Sequence, residues 1–300
     1  MTSASPTDTP LVSVVIPTYN DGEYLSQALQ GVLEQSYQNL QIIVVVDGSN
    51  DATEQVLASF ADPRIEVIWQ ENTGIVGALN RGFAAVAGTY IARMDADDLM
   101  PNDRIEKQLK YLQHNPEVVA CGTDYEMFGD KSGIIRMPRN PNLATARFLF
   151  GTAVAHPSAL FRAAPVTLNG LKFNKEYEYA EDFKFFSELI SWGKITNLPF
   201  VGLHYRTHAG QISSAKFEKQ KEISKKIITE NFASKGLDVS GTKIEDWLWP
   251  RDRGLKAGVK YLATKAPRLL WYGFRGAKLA GLLTGLQLVR ERVNTILRTT

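Results

Sequence analysis

Three carboxylates, Asp95, Asp97 and Asp98, stand within four residues at the end of the apolar run in IARMDADDL (91–99). At that spacing carboxylates repel one another unless something positive sits among them. Hard divalent cations such as Mg²⁺ or Mn²⁺ take oxygen ligands. They commonly reach a protein through one or two carboxylates while substrate phosphates fill other positions. The cluster therefore asks for a metal and a phosphorylated ligand. The alternative is an acidic turn capping the next helix, and Asp103, two residues after Pro101, could serve as that cap unaided.

Other polar groups follow apolar runs in the same way. The loop PTYNDG (17–22) offers Pro17, Thr18, the aromatic edge of Tyr19 and the amide of Asn20, and Asp47 ends the next run, where its carboxylate could accept hydrogen bonds from a base or ribose. Asp47-Gly48-Ser49-Asn50-Asp51 reads equally well as a turn and helix cap. Neither a G-x-G-x-x-G nor a Walker loop is present, so a Gly-rich dinucleotide site is unsupported.

The elements that must position these groups are legible from periodicity. Strand-like runs at 11–16, 40–46, 64–69 and 89–94 alternate with helical stretches near 23–35, 52–60 and 75–86. This βαβα rhythm predicts a doubly wound, mostly parallel α/β sheet, in which ligands bind beyond the carboxyl ends of the strands. Turn residues at 17–22, 47–49 and 72–74, the last being Asn72-Thr73-Gly74, put the polar loops along one edge. Beyond Pro116 the rhythm breaks into a strand over 117–129, a short helix over 143–150, mixed elements to about 214 and a charged helix over 216–233.

Taken in order and spacing, VSVVIPTYN, IIVVVDGSNDAT, ENTGIVGALNRG and YIARMDADDLMPNDRIEKQL resemble the family 2 glycosyltransferases, inverting enzymes of the GT-A fold that use nucleotide sugars. The resemblance covers about 10–215 and is strongest over the first 115 residues. It implies that Pro17, Thr18, Tyr19, Asn20, Asp47, Asn72 and Asn80 belong to the nucleotide-sugar site. It also implies that Asp95 lies near the ribose or metal and that Asp97 ligates a metal on the diphosphate. One departure is Val46, where members often carry a second acidic residue before the Gly-Ser.

YEYAEDFKFF (177–186) resembles the family's Glu-Asp pair opening a helix, which makes Asp182 the expected base, with Glu181 as second choice. Inverting transfer needs a carboxylate to take the acceptor's hydroxyl proton, although acids at a helix N-terminus also complement its dipole. VGLHYRTHAGQIS (201–213) resembles the Tyr-Arg-x-His pattern late in the domain. Arg206 would meet phosphate, His208 would join the metal or diphosphate, and His204 reads as structural. His156, in AHPSALFR, is placed on the acceptor side.

Composition sets the outer bounds. The formal net charge of +2 hides an asymmetry, since 214–300 holds 18 Lys and Arg against 8 Asp and Glu while 1–213 holds 16 against 24. The basic tail contains LLWYGFRGAKLAGLLTGLQLV (269–289), in which Arg275 and Lys278 argue against a spanning helix. An interfacial helix at an anionic membrane and a helix packed on the domain or a dimer partner are both consistent with it. One cysteine, Cys121, excludes an internal disulfide, and the first ten residues do not resemble a signal peptide.

The expected organisation is a flexible 1–10, a GT-A domain over 11–215 with a nucleotide-binding half (11–115) and an acceptor half (116–215), and a helical basic region over 216–300. The expected activity is Mg²⁺- or Mn²⁺-dependent, inverting transfer of a hexosyl or N-acetylhexosaminyl group. The donor would be a nucleotide diphosphate sugar, UDP by default, and the acceptor a hydroxyl of a glycan or polyprenyl-linked glycan in cell-surface polysaccharide synthesis. The protein would be cytoplasmic and peripheral to the inner membrane face, with no nucleic-acid partner and a homo-oligomer possible. A catalytically silent glycan-binding protein on the same fold is an alternative. A sugar-phosphate nucleotidyltransferase is another, but expects a Gly-rich basic first loop. A haloacid-type phosphatase expects a threonine where Leu99 stands, and an EF-hand expects oxygen ligands and glycine where Leu99 and Met100 stand.

Overall fold

A computed structural model describes residues 9–208 and 217–234. In chain order the first half runs β1 (Val12–Thr18), α1 (Gly22–Leu33), β2 (Leu40–Asp47), α2 (Thr53–Ala58), β3 (Ile65–Gln70), α3 (Ile75–Ala84), β4 (Tyr90–Arg93) and α4 (Arg104–His114). It continues with β5 (Val118–Gly129), β6 (Gly133–Ile135), α5 (Pro141–Arg147), β7 (Leu160–Arg162), α6 (Ala164–Thr167), α7 (Glu181–Leu189), β8 (Lys194–Thr207) and α8 (Phe217–Ala233). One sheet joins the strands in the order β3-β2-β1-β4-β7-β5-β6, with β8 on β5.

β1 to β4 pair in parallel. Each residue of β1 and β2 is buried, as expected of strands covered on both faces. Alternation then sorts their side chains. Val12, Val14 and Ile16 join the core under α1 and α4, while Val15 joins the opposite core under α3, α7 and α8. The helices answer with matching stripes: Leu25, Ala28, Leu29 and Val32 on α1, and Val76, Leu79 and Phe83 on α3.

The change of rhythm after Pro116 is a change of strand direction. β7 runs antiparallel to β4 and β5, and β6 antiparallel to β5. β8 returns parallel to β5 with register shifts near Val118/Ala120 and Thr123–Tyr125. Its far end is clipped to the acidic turn, where the Leu99 N–H donates to the His204 carbonyl at 3.0 Å and the His204 N–H to that of Leu99 at 2.9 Å. Asp103 occupies the N-cap position of α4 without a side-chain cap bond, and its carboxylate pairs instead with Lys107 at 2.5 Å. Asp103 therefore does not supply the side-chain cap expected of it. No helix among the described residues is long and apolar enough to cross a membrane. The expectations for 235–300 lie outside the described residues.

Candidate active site

The turn after β4 separates its side chains by alternation. Met94, Ala96 and Met100 are buried in the core, which leaves Asp95 and Asp97 facing the crevice, and Asp98 is fully buried beneath them. One carboxylate oxygen from each of Asp95, Asp97 and Asp98 lies within 4.8 Å of the others. His208, just past β8, brings Nε2 to 3.2 Å from Asp97 Oδ2.

This concentration of acid rests on buried arginines that the sequence reading did not single out. Arg93 is 1 % exposed and pairs with the Asp95 carboxylate and the Met94 carbonyl. Arg104, fully buried, donates from Nη2 to the Arg93 carbonyl at 2.7 Å and from Nε to Gln108 Oε1 at 3.1 Å. Both were findable: Arg93 lies inside an apolar strand, and Arg104 lies on the apolar face of α4 with Ile105, Leu109 and Leu112.

Fixed positive charge offsets the cluster only in part. Burial first, then Asp95, pushes the Asp97 carboxyl up. Burial, then Asp95 and Asp97, pushes Asp98 further. Asp21, at the start of α1, is pushed up to about 6 by burial, with the Asp97 and Asp95 charges adding to it. Asp98 Oδ2 is buried without a hydrogen-bond partner. Carboxylate oxygens beside an imidazole, with an orphaned oxygen and raised pKa values, fit a hard divalent cation.

The expected nucleotide residues in the loops fall along the same edge, whereas Asn80 lies within α3. Pro17 and Thr18 close β1, and Tyr19 is 51 % exposed. Asn20, at φ 58°, ties two loops together: its N–H donates to Ser49 Oγ at 3.0 Å and its side chain accepts from the Asn50 N–H at 2.9 Å. Asp47 is 3 % exposed and holds the loop after β3, accepting from the N–H groups of Thr73 at 2.8 Å and Gly74 at 2.9 Å and from Gln70 Nε2 at 2.6 Å. Gly48, at φ +74°, lets that loop approach, since a Cβ there would meet the Asn72 nitrogen at 2.8 Å. Asn72 is exposed beside it. Asn80 clamps Phe173, with its amide exchanging two 2.9 Å bonds with the Phe173 backbone.

The helix α7 begins with Glu181 and Asp182. The Asp182 carboxyl is raised by burial, with the Asp95 charge adding to it, so the two carboxylates feel one another. Asp182 Oδ1 accepts from the Phe183 N–H at 2.7 Å. Glu181 is pushed up to about 7 by burial and then by Asp182, and its Oε2 is buried without a partner. Tyr179, just before them, holds φ 79°, a conformation side chains rarely adopt away from functional or strained turns. His156 packs its ring 5.4 Å from Phe173 and 5.8 Å from Phe186, and burial, then Arg93, holds its pKa well below the usual value, leaving it neutral. His204 pairs with Glu126 at 3.1 Å.

Arg206 is drawn into the acidic turn. Its N–H donates to Asp98 Oδ1 at 2.8 Å, its Nε to the Asp97 carbonyl at 2.7 Å and its Nη2 to Gln27 Oε1 at 2.8 Å. The guanidinium lies over the rings of Tyr24 at 4.5 Å and Phe128 at 4.6 Å.

Comparison with known proteins gives the family and the fold. The family model described as Glycosyl transferase family 2 matches residues 13–165. An uncharacterized glycosyltransferase of Haemophilus influenzae is 37% identical over 236 residues, covering 74% of this chain and 73% of the relative. Among solved structures, Staphylococcus aureus TarS in complex with UDP-GlcNAc aligns with TM-score 0.63 at 15% identity over 95% of this chain and 90% of that one. The mannosyltransferase PcManGT of Pyrobaculum calidifontis in complex with GDP-Man and Mn²⁺ aligns with TM-score 0.59 at 19% identity over 96% and 89%. These structures share the fold, of GT-A type. With the family model spanning half of the sequence and a relative of this identity matched over most of its length, the chain belongs to glycosyl transferase family 2.

Proposed function

We propose that this glycosyltransferase is metal-dependent and inverting, and moves a hexosyl or N-acetylhexosaminyl group from a nucleotide diphosphate sugar to a hydroxyl of a glycan or polyprenyl-linked glycan. The observation that carries the reading is the Asp95–Asp97–Asp98 cluster with His208 at Asp97, a carboxylate-and-imidazole set suited to a divalent cation. Asp97, Asp95 and His208 would hold Mg²⁺ or Mn²⁺, which when bound supplies positive charge to the leaving diphosphate. The exposed ring of Tyr19 offers a face for the base, and Asp47 shapes the neighbouring loop.

The Asp182 carboxylate takes the acceptor's hydroxyl proton while that oxygen bonds to the anomeric carbon and the bond from that carbon to the diphosphate oxygen breaks. Inversion follows because attack and departure occur on opposite faces. A carboxyl raised by burial suits the task, since a base works best with a pKa near the working pH. The basic C-terminal region is assigned to peripheral contact with an anionic membrane, which would bring the enzyme to lipid-linked acceptors in cell-surface polysaccharide synthesis. UDP is the default nucleotide.

The test is a thermal-stabilisation screen of nucleotide sugars with Mn²⁺, followed by nucleotide release with and without glycan acceptors and assignment of the product anomer by NMR. Stabilisation and an inverted product are expected. Binding without nucleotide release under any acceptor would favour a silent glycan-binding protein.

A further inference from the structure

We propose that Arg206 is a positioning residue that holds the metal-binding turn in shape. The inference rests on the metal site proposed above and redefines the role expected of this side chain. A phosphate-binding arginine presents an edge of its planar fork to the anion, two N–H groups at a time. Here the Nε–Nη2 edge is already engaged by the protein, through the Asp97 carbonyl at 2.7 Å and Gln27 Oε1 at 2.8 Å. Aromatic rings at 4.5 and 4.6 Å cover the guanidinium.

What the residue grips is the acidic turn itself. Its side chain holds the main chain of Asp97 and its backbone N–H holds the carboxylate of Asp98 at 2.8 Å. Two residues on, His208 reaches Asp97 Oδ2, and two residues back His204 exchanges both backbone bonds with Leu99. The end of β8 is thus zipped along 97–99, with Arg206 as the central tooth. Tyr24 and Gln27, from α1, anchor it from the other side, and the Tyr24 ring also lies 5.4 Å from that of His208. Such outer contacts aim the groups that touch the metal, and their loss weakens metal binding even though they never touch it.

The experiment compares wild type, Arg206→Met, Arg206→Lys and Gln27→Ala by Mn²⁺ calorimetry, by UDP calorimetry without metal, and by hydrogen exchange at the Leu99 amide. Arg206→Met and Arg206→Lys are expected to weaken Mn²⁺ by roughly 10-fold or more, as removal of an outer-contact residue does. Gln27→Ala should shift it the same way by less. Metal-free UDP affinity should stay within about twofold and Leu99 exchange should accelerate in Arg206→Met, because the zipper opens whether or not metal is present. Unchanged Mn²⁺ affinity and exchange, with metal-free UDP binding lost in both Arg206 variants, would make Arg206 a phosphate ligand and overturn the proposal. Wild type that binds no Mn²⁺ would sink the metal reading instead, and the exchange measurement would still decide whether Arg206 holds the turn. Should the Arg206 variants not fold, Gln27→Ala carries the same comparison.

Discussion

At the scale of single residues, the two sides of the crevice should fail in different ways. Asp97→Asn is expected to abolish metal-dependent binding of nucleoside diphosphate, because a neutral amide cannot supply the charge a hard cation demands. Calorimetry with Mn²⁺ and UDP reads this directly, and wild-type affinity would move the metal site elsewhere. Asp182→Asn should keep donor affinity and lose roughly 10²-fold or more in turnover, since proton removal belongs to the transition state. Glu181 carries a separate, pH-linked consequence. Its carboxyl is raised from 4.5 to about 7, so between those values the folded protein binds a proton that the unfolded chain has released. Stability from this group is complete below about 4.5 and is lost as pH rises through 7. In metal-free protein, denaturation across pH 5 to 8 should show that decline. Glu181→Gln should make it shallower, the remainder belonging to Asp21 and the other raised carboxyls, and an identical slope in wild type and variant would remove Glu181 as a source.

At the scale of elements, the helix and strand pattern of the first half was readable because each unit has its own period. β1 to β4 and α1 to α3 fall within a few residues of expectation. The second half was harder, since β7 is three residues long and its antiparallel pairing with β4 and β5 leaves no local signature. Packing between elements is tight where α3 meets β1, for a Cβ on Gly82 would lie 2.5 Å from Val15 Cγ1. β-Branched Val15 has little freedom to yield, so Gly82→Ala should cost about 1–3 kcal/mol. A lower urea midpoint with an unchanged slope is the expected result. A variant as stable as wild type would mean that α3 shifts freely on the sheet.

At the scale of the whole molecule, charge is divided along the chain. Residues 251–300 hold eleven Lys and Arg against two Asp and Glu, with Trp271, Tyr272 and Phe274 among them. Basic groups at an anionic leaflet contribute about 1 kcal/mol each, so a few suffice for attachment. Full-length protein should co-sediment with vesicles containing anionic lipid, and salt should weaken this to an apolar remainder. Removal of 250–300 should abolish attachment while nucleotide-sugar hydrolysis persists. A full-length protein that ignored such vesicles at low salt, with the shortened form losing solubility or a dimer, would make this region a packing element.

The sequence alone determined the alternating strands and helices, the polar loops at the strand ends and the spacing of Asp95, Asp97 and Asp98, since each is written in neighbouring residues. It also supplied Asp182 and His208 as candidates, by resemblance. The tertiary structure decided what these groups meet. Arg206 and His208 find the acidic turn from 108 and 111 residues away, and only the strand order and the register of β8 on β5 bring them there. Arg93 and Arg104 show their role once burial removes the water that would otherwise screen them. Asp47 shows its hold on the loop after β3 only when that loop's N–H groups are in place. Local patterns report the period of one element. Long-range contacts depend on how elements are stacked, and no short stretch of sequence records that.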